Sequence, residues 1–286
     1  MSRKILVLGA GGMLGNAVLR YFAGSDSYDA VGSVRSESAF RSLPESLRHR
    51  LVAAGNADDP DQLIRLLGQV RPDIVINCIG LVKQLGEAKN PLAAIPINAV
   101  LPHRLAQCCE LVGARLVHLS TDCVFSGRKG MYVEDDVADA DDVYGRTKLL
   151  GEVDYPHAVT LRTSIIGHEL AGHRSLVDWF LSQDRPVKGF TRAIFSGLPT
   201  VEIASVIDRY VIPNKDMHGL YHVSAAPIDK ASLLRLVADV YQKRIVIQDD
   251  DSFEIDRSLN SDRFKAKTGY HPAIWPVLIK QMHDFR

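Results

Sequence analysis

The feature that most constrains the fold of this chain is its start: Ile5-Leu6-Val7-Leu8 runs directly into Gly9-Ala10-Gly11-Gly12-Met13-Leu14-Gly15. An unbroken aliphatic run with no polar alternation predicts a strand buried on both faces, as parallel sheets require. Glycines 9, 12 and 15 permit a tight turn, and the segment from Asn16 to Phe22 then reads as a helix. A strand, a glycine turn and a helix in that order bring backbone N–H groups to a helix N-terminus, where a pyrophosphate can be held.

The pattern repeats. Strands are expected near Asp29 to Val34, Arg50 to Ala53, Asp73 to Asn77, Arg115 to Leu119 and Ala158 to Arg162. Between them lie helical stretches from Pro60 to Val70, from Asn98 to Val112 (with Pro102 in its first turn) and from Val143 to Asp154, which Asp142 is placed to cap. Such alternation implies an α/β fold, a Rossmann-type doubly wound parallel sheet. Beyond Gly167 the alternation breaks. Helices from Ser175 to Leu181, Val201 to Val211, Ile228 to Tyr241 and Pro272 to Met282 surround a strand from Gly219 to Val223. The expected division is a nucleotide-binding domain over 1–166 and a smaller C-terminal α/β substrate lobe over 167–286, some elements of which return to the first domain.

Several positions follow from the fold class. Gly9, Gly12 and Gly15 form the candidate pyrophosphate turn. The second strand should end at the adenosine ribose, where an acidic residue would bond a 2′-hydroxyl. This chain carries Arg35 and Ser36 there, which suit a 2′-phosphate and point to NADPH, with NADH left open. Asn56 and Ala57 could border the adenine, and Cys78, Ile79 and Gly80 lie at the carboxyl edge of the fourth strand, where a cofactor would pass. The fifth strand delivers Ser120-Thr121-Asp122 to that same edge. Tyr144 and Lys148, four apart, share one face of the next helix. A phenol beside an ammonium is a proton donor of lowered pKa, and the Thr121 hydroxyl could complete a device that protonates a developing alkoxide.

Other classes find little support. The formal net charge is zero, with no Lys/Arg block, which argues against nucleic acid or an anionic membrane as main partner. The initial aliphatic run is too short for a signal peptide and no stretch is long enough to span a membrane, so a cytoplasmic protein is expected. The four cysteines lack metal or redox spacing. His168 and His173 are one residue too far apart for a helical zinc pair, Asp249 to Asp251 lack the spacing of a calcium loop, and no metal site is expected.

With glycine turn, Thr121, Tyr144 and Lys148 in this order, the chain resembles the extended short-chain dehydrogenases/reductases, and among them the dTDP-4-dehydrorhamnose reductase family. The matching segments are Gly9 to Gly15, Asn77 to Gly80, Ser120-Thr121-Asp122 with Val124-Phe125, Tyr144 to Glu152, and Arg162-Thr163-Ser164. The resemblance implies NAD(P)H-dependent reduction of the 4-keto group of a nucleotide-linked deoxy sugar. Tyr144 would donate the proton, Lys148 would hold the ribose hydroxyls and lower the tyrosine pKa, and Thr121 would hydrogen-bond the substrate oxygen. Lys83, Thr121, Asp122, Tyr144 and Ile165 would line the substrate, and Gly12, Met13 and Leu14 would lie at the pyrophosphate.

Two positions depart from the family. Cys123 stands where the rhamnose-forming enzymes usually carry Tyr, and Ile165 where they carry Trp. The hydride chemistry is untouched, but a related 6-deoxy or N-acetylated 4-keto-hexose is as good a substrate expectation as the rhamnose precursor. Rival expectations are an epimerase or dehydratase of the same superfamily, although the Asp-Glu pair of the dehydratases is replaced by Asp122-Cys123. A regulatory subunit without turnover, as in the related beta subunit of methionine adenosyltransferase, is a third. Self-association as a homodimer is left open.

Overall fold

The computed structural model describes residues 2–81 and 89–286. It divides into two compact units: Met1–Ser120 with Asp141–Leu161 and Asn214–Leu220, and Thr121–Ala140 with Arg162–Pro213 and Tyr221–Arg286.

The first unit holds β1 (Arg3–Leu8), β2 (Tyr28–Val34), β3 (Leu51–Ala53) and β4 (Ile74–Asn77), with all but the last residues of β5 (Arg115–Thr121), β6 (Ala158–Thr163) and β10 (Gly219–His222). These form one seven-stranded sheet in the order β10-β6-β5-β4-β1-β2-β3. β1 pairs in parallel with both β2 and β4, and β4 in parallel with β5. The chain therefore leaves β1 for β2 and β3 on one side and crosses to β4 on the other. Ligands bind at the carboxyl ends of strands where the order reverses in this way.

Helices α1 (Met13–Ala23), α2 (Pro60–Val70), α3 (Pro91–Ala94), α4 (Leu101–Val112) and α5 (Val143–Leu150) complete the unit. The apolar faces of α2 and α4 put Leu63, Leu66, Leu67, Leu101, Leu105 and Cys109 against Leu6, Val75 and Leu116 of the sheet. Asp59 caps α2 by accepting from Asp61 N and Gln62 N, with Pro60 following as a first-turn residue that has no N–H to satisfy.

The structure corrects the expected start of the third helical stretch, Asn98 to Val112. Helix begins at Pro91, and α3 and α4 are joined by a π-helical turn, Ile95–Val100. Pro102 thus lies within a continuous helical run and cannot donate to the Asn98 carbonyl four residues earlier. Gly151, just after α5, comes close to that carbonyl: a Cβ there would fall 1.9 Å from Asn98 O. Helix α5 ends at Leu150, four residues short of the expected Asp154.

In the second unit, β8 (Val187–Phe195) is the centre of a three-stranded sheet with β11 (Ile228–Asp229) antiparallel and β12 (Ile247–Asp256) parallel. β7 (Ile165–Ile166) pairs with β9 (Leu198–Pro199). Helices α6 (Leu176–Leu181), α7 (Thr200–Val206, continuing as a π-turn), α8 (Lys230–Val240), α9 (Asp262–Thr268) and α10 (Trp275–Asp284) accompany them. The expected strand at Gly219 is β10, which joins the large sheet. Among the described residues no helix is long and apolar enough to cross a membrane.

Candidate active site

At the glycine turn, Gly9 has φ +79° and its carbonyl accepts from Gly12 N at 3.0 Å. Gly15 has no alternative to glycine, because a Cβ would lie 2.1 Å from Gly9 O. Gly9 in turn approaches the end of β4, where its Cβ would meet Ile79 at 3.0 Å. The start of α1 has neither a side-chain cap nor a first-turn acidic residue. Its N–H groups are therefore available to an anion, and Gly12 leaves the approach open, so the residues present fit a dinucleotide pyrophosphate.

The other cofactor candidates lie along the same carboxyl edge. Arg35 and Ser36 are exposed directly after β2, with Ser36 Oγ bonded to Ser38 Oγ at 2.7 Å. Asn56 N is held by Gln62 Oε1 at 2.6 Å, beside half-buried Ala57. Cys78 N bonds Leu8 O at 3.1 Å, and Ile79 N bonds the Asn77 side chain at 3.0 Å. Burial pushes the Cys78 thiol up to about 12, so it is a neutral side chain and no nucleophile.

Helix α5 carries Tyr144 and Lys148. Its N-cap is Asp142, which accepts from Gly145 N at 2.7 Å, as expected from the sequence. Tyr144 is half-buried and Lys148 is 5% exposed. The Lys148 ammonium donates to Leu119 O at 2.7 Å, at the end of β5. Burial lowers its pKa from 10.5 to about 8, with the Glu152 carboxylate acting in the opposite sense. Glu152 itself accepts from Ser120 Oγ at 2.6 Å.

Asn98 is a site-supporting residue that sequence reasoning missed. Its Oδ1 accepts from Leu81 N at 2.9 Å, and its Nδ2 donates to Thr147 Oγ1 on α5 at 3.3 Å. It thereby ties the segment after β4 to the helix bearing the tyrosine and lysine. Its signal was hidden by the expectation that the helix starts there. Lys83 lies outside the described residues.

In the second unit, Thr121 Oγ1 donates to Asp122 Oδ1 at 3.1 Å and accepts from Cys123 N at 3.1 Å. Burial raises the Asp122 pKa, opposed by Arg257 and by side-chain hydrogen bonds from Thr121, Cys123 and Ser164. Arg257 holds Phe125 O through Nε at 2.8 Å and lies 3.9 Å from Cys123 Sγ. Arg257 also escaped the sequence reading, since it follows β12, a strand without apolar alternation. Ile165 is half-buried in β7. His168, set aside as a metal ligand, bonds Asp178 and Tyr241 OH, each at 2.7 Å.

A family model described as the RmlD substrate binding domain matches residues 3–244. The chain belongs to the RmlD substrate-binding domain family. As a member of that family it is 33% identical over 165 residues to a probable low-salt glycan biosynthesis reductase of Haloferax volcanii, covering 56% of this chain and 52% of the relative. It is 31% identical over 172 residues to the dTDP-4-dehydrorhamnose reductase of Mycobacterium tuberculosis, covering 57% and 50%. Methionine adenosyltransferase 2 subunit beta of Rattus norvegicus matches at 30% over 151 residues, covering 53% and 42%. The chain thus spans about half the length of the curated relatives it matches. In fold, this RmlD-family chain superposes on the dTDP-4-dehydrorhamnose reductase of Bacillus anthracis, solved in complex with NADP. The TM-score is 0.80 at 18% identity, over 99% of this chain and 98% of that one. The Rossmann-type architecture of the extended short-chain dehydrogenases/reductases is therefore its fold.

Proposed function

We propose that this protein uses NADPH to reduce the 4-keto group of a nucleotide-linked deoxy sugar, acting in the cytoplasm in polysaccharide or nucleotide-sugar biosynthesis. The observation that carries the proposal is Lys148, a buried ammonium on the helix of Tyr144. Burial makes that charge costly even with the Glu152 carboxylate acting in its favour, and a chain that retains it has a use for it.

Bound NADPH would supply the hydride. The α1 N-terminus would hold its pyrophosphate, Arg35 and Ser36 its 2′-phosphate, Asn56 and Ala57 its adenine edge, and Cys78, Ile79 and Gly80 would flank its path. On the protein side, Lys148 stabilises the phenolate form of Tyr144 and so eases release of the phenolic proton to the forming alkoxide. Thr121 donates a hydrogen bond to the carbonyl oxygen, which favours the charge that develops there. Asp122, Tyr144 and Ile165 would contact the sugar. The reductases among the relatives, and the NADP complex of the Bacillus anthracis enzyme, support both the reaction class and the cofactor.

The subunit beta relatives favour a second reading, a regulatory partner without turnover. A panel of dTDP-, UDP- and GDP-linked 4-keto sugars, followed by NADPH absorbance, separates the two. Turnover of one member supports the reductase, and silence across the panel with NADPH and NADH contradicts it.

A further inference from the structure

The hydroxyl of Thr121 has one proton, and the structure commits it to the Asp122 carboxylate at 3.1 Å, while one of its lone pairs takes the Cys123 N–H. An ionised carboxylate can only accept, and so can a ketone oxygen. The two therefore compete for one proton. While Asp122 is ionised, Thr121 offers an incoming carbonyl nothing but a lone pair.

The conflict disappears if Asp122 carries a proton. Its O–H then donates to the free lone pair of Thr121 Oγ1, and the Thr121 proton turns to the substrate. The Asp122 proton, the Thr121 proton and the ketone oxygen are then matched in sequence, which matters because Asp122 is 7% exposed and Thr121 likewise 7%. We propose that Asp122 is a positioning residue for Thr121, and that binding a ketone oxygen at Thr121 is coupled to uptake of a proton by Asp122. This rests on the reading of Thr121 as the donor to a substrate carbonyl.

The groups facing Asp122 set how easily the proton is taken. Thr121 and Cys123 are its chain neighbours, and Ser164 lies between β6 and β7. Arg257 follows β12, and Lys230 begins α8. The two cations favour the ionised form. Burial opposes them and is the largest influence on Asp122. The carboxyl is thus held above its ordinary range, where displacement of water by a bound sugar would carry it further toward the neutral state.

The test is calorimetric and needs no turnover. The protein saturated with NADP+ cannot reduce a ketone, so a dTDP- or UDP-linked 4-keto-6-deoxyhexose can be titrated into it in phosphate and in Tris at one pH. These buffers differ in ionisation enthalpy, and the difference in heat reads net proton uptake. Uptake is expected with the ketone and not with the matching 4-hydroxy sugar nucleotide, whose hydroxyl brings its own proton. Asp122→Asn and Thr121→Val should each abolish it, and Thr121→Ser should retain it. Ketone binding without uptake in the wild type, or uptake that persists in Asp122→Asn, would overturn the coupling. If Asp122→Asn does not fold, the Thr121→Val and Thr121→Ser pair decides: uptake retained in Thr121→Val overturns it. Failure of every ketone to bind the wild type would instead remove the reductase reading on which the coupling rests.

Discussion

Lys148→Met separates the functional charge of the site from its structural cost. The ammonium donates to Leu119 O and is buried, with its pKa lowered from 10.5 to about 8. A displacement of that size means that charging Lys148 costs roughly 3 kcal/mol more in the folded chain than in the unfolded one. Methionine matches the length and fills the same space without the charge. It leaves Leu119 O without its donor, a loss of about 1–3 kcal/mol. The two effects nearly cancel, so at neutral pH the variant should be within ~2 kcal/mol of wild type, or more stable. Activity should fall by about 100-fold or more.

The pH dependence gives the sign. Below about 8 both folded and unfolded chains hold the Lys148 proton, and the full cost is present. Between about 8 and 10.5 the folded chain has released a proton that the unfolded chain still binds. Stability of the wild type relative to Lys148→Met should therefore rise with pH in that window, by up to ~1.4 kcal/mol per pH unit. Urea denaturation followed by circular dichroism across that window measures it. Loss of more than ~3 kcal/mol in the variant at neutral pH, or a difference that does not change with pH, would refute the reasoning.

Gly151→Ala places a methyl 1.9 Å from Asn98 O and should cost about 1–3 kcal/mol in thermal or denaturant unfolding, with kcat reduced because α5 must move. Arg35→Ala should raise the KM for NADPH by about 10-fold or more and leave that for NADH nearly unchanged, and equal effects would remove its 2′-phosphate role. Asp142→Ala removes the acceptor of Gly145 N and should destabilise by about 1 kcal/mol in urea titrations.

Much of the first unit was legible because its signals are local. Buried parallel strands appear as aliphatic runs, helix α2 carries both a capping aspartate and a first-turn proline, and Gly15 marks a close backbone approach. What escaped depends on contacts distant in sequence. The helix beginning at Pro91 contains Pro96 and Pro102, residues that ordinarily break helices, and it carries a π-turn over Ile95–Val100. β12 holds Asp249, Asp250, Asp251 and Glu254 in a largely exposed strand with a register shift, so its periodicity is weak. Lys188 bonds Asp250 and Arg192 bonds Glu254 across to β8, and these pairings are invisible until the strands are laid side by side. Asn98, Ser120 and Glu152 support the catalytic candidates through partners between 17 and 49 residues away, a relation that no spacing rule encodes.

The most direct test of the proposed proton transfer is single-turnover oxidation of bound NADPH by a 4-keto sugar nucleotide, comparing wild type with Tyr144→Phe. The phenylalanine keeps the ring and removes the phenolic hydroxyl that would give the proton. A fall in the single-turnover rate of about 100-fold or more, with NADPH binding unchanged, is expected. Equal rates in the two proteins would show that Tyr144 is not the acid and would contradict the assignment.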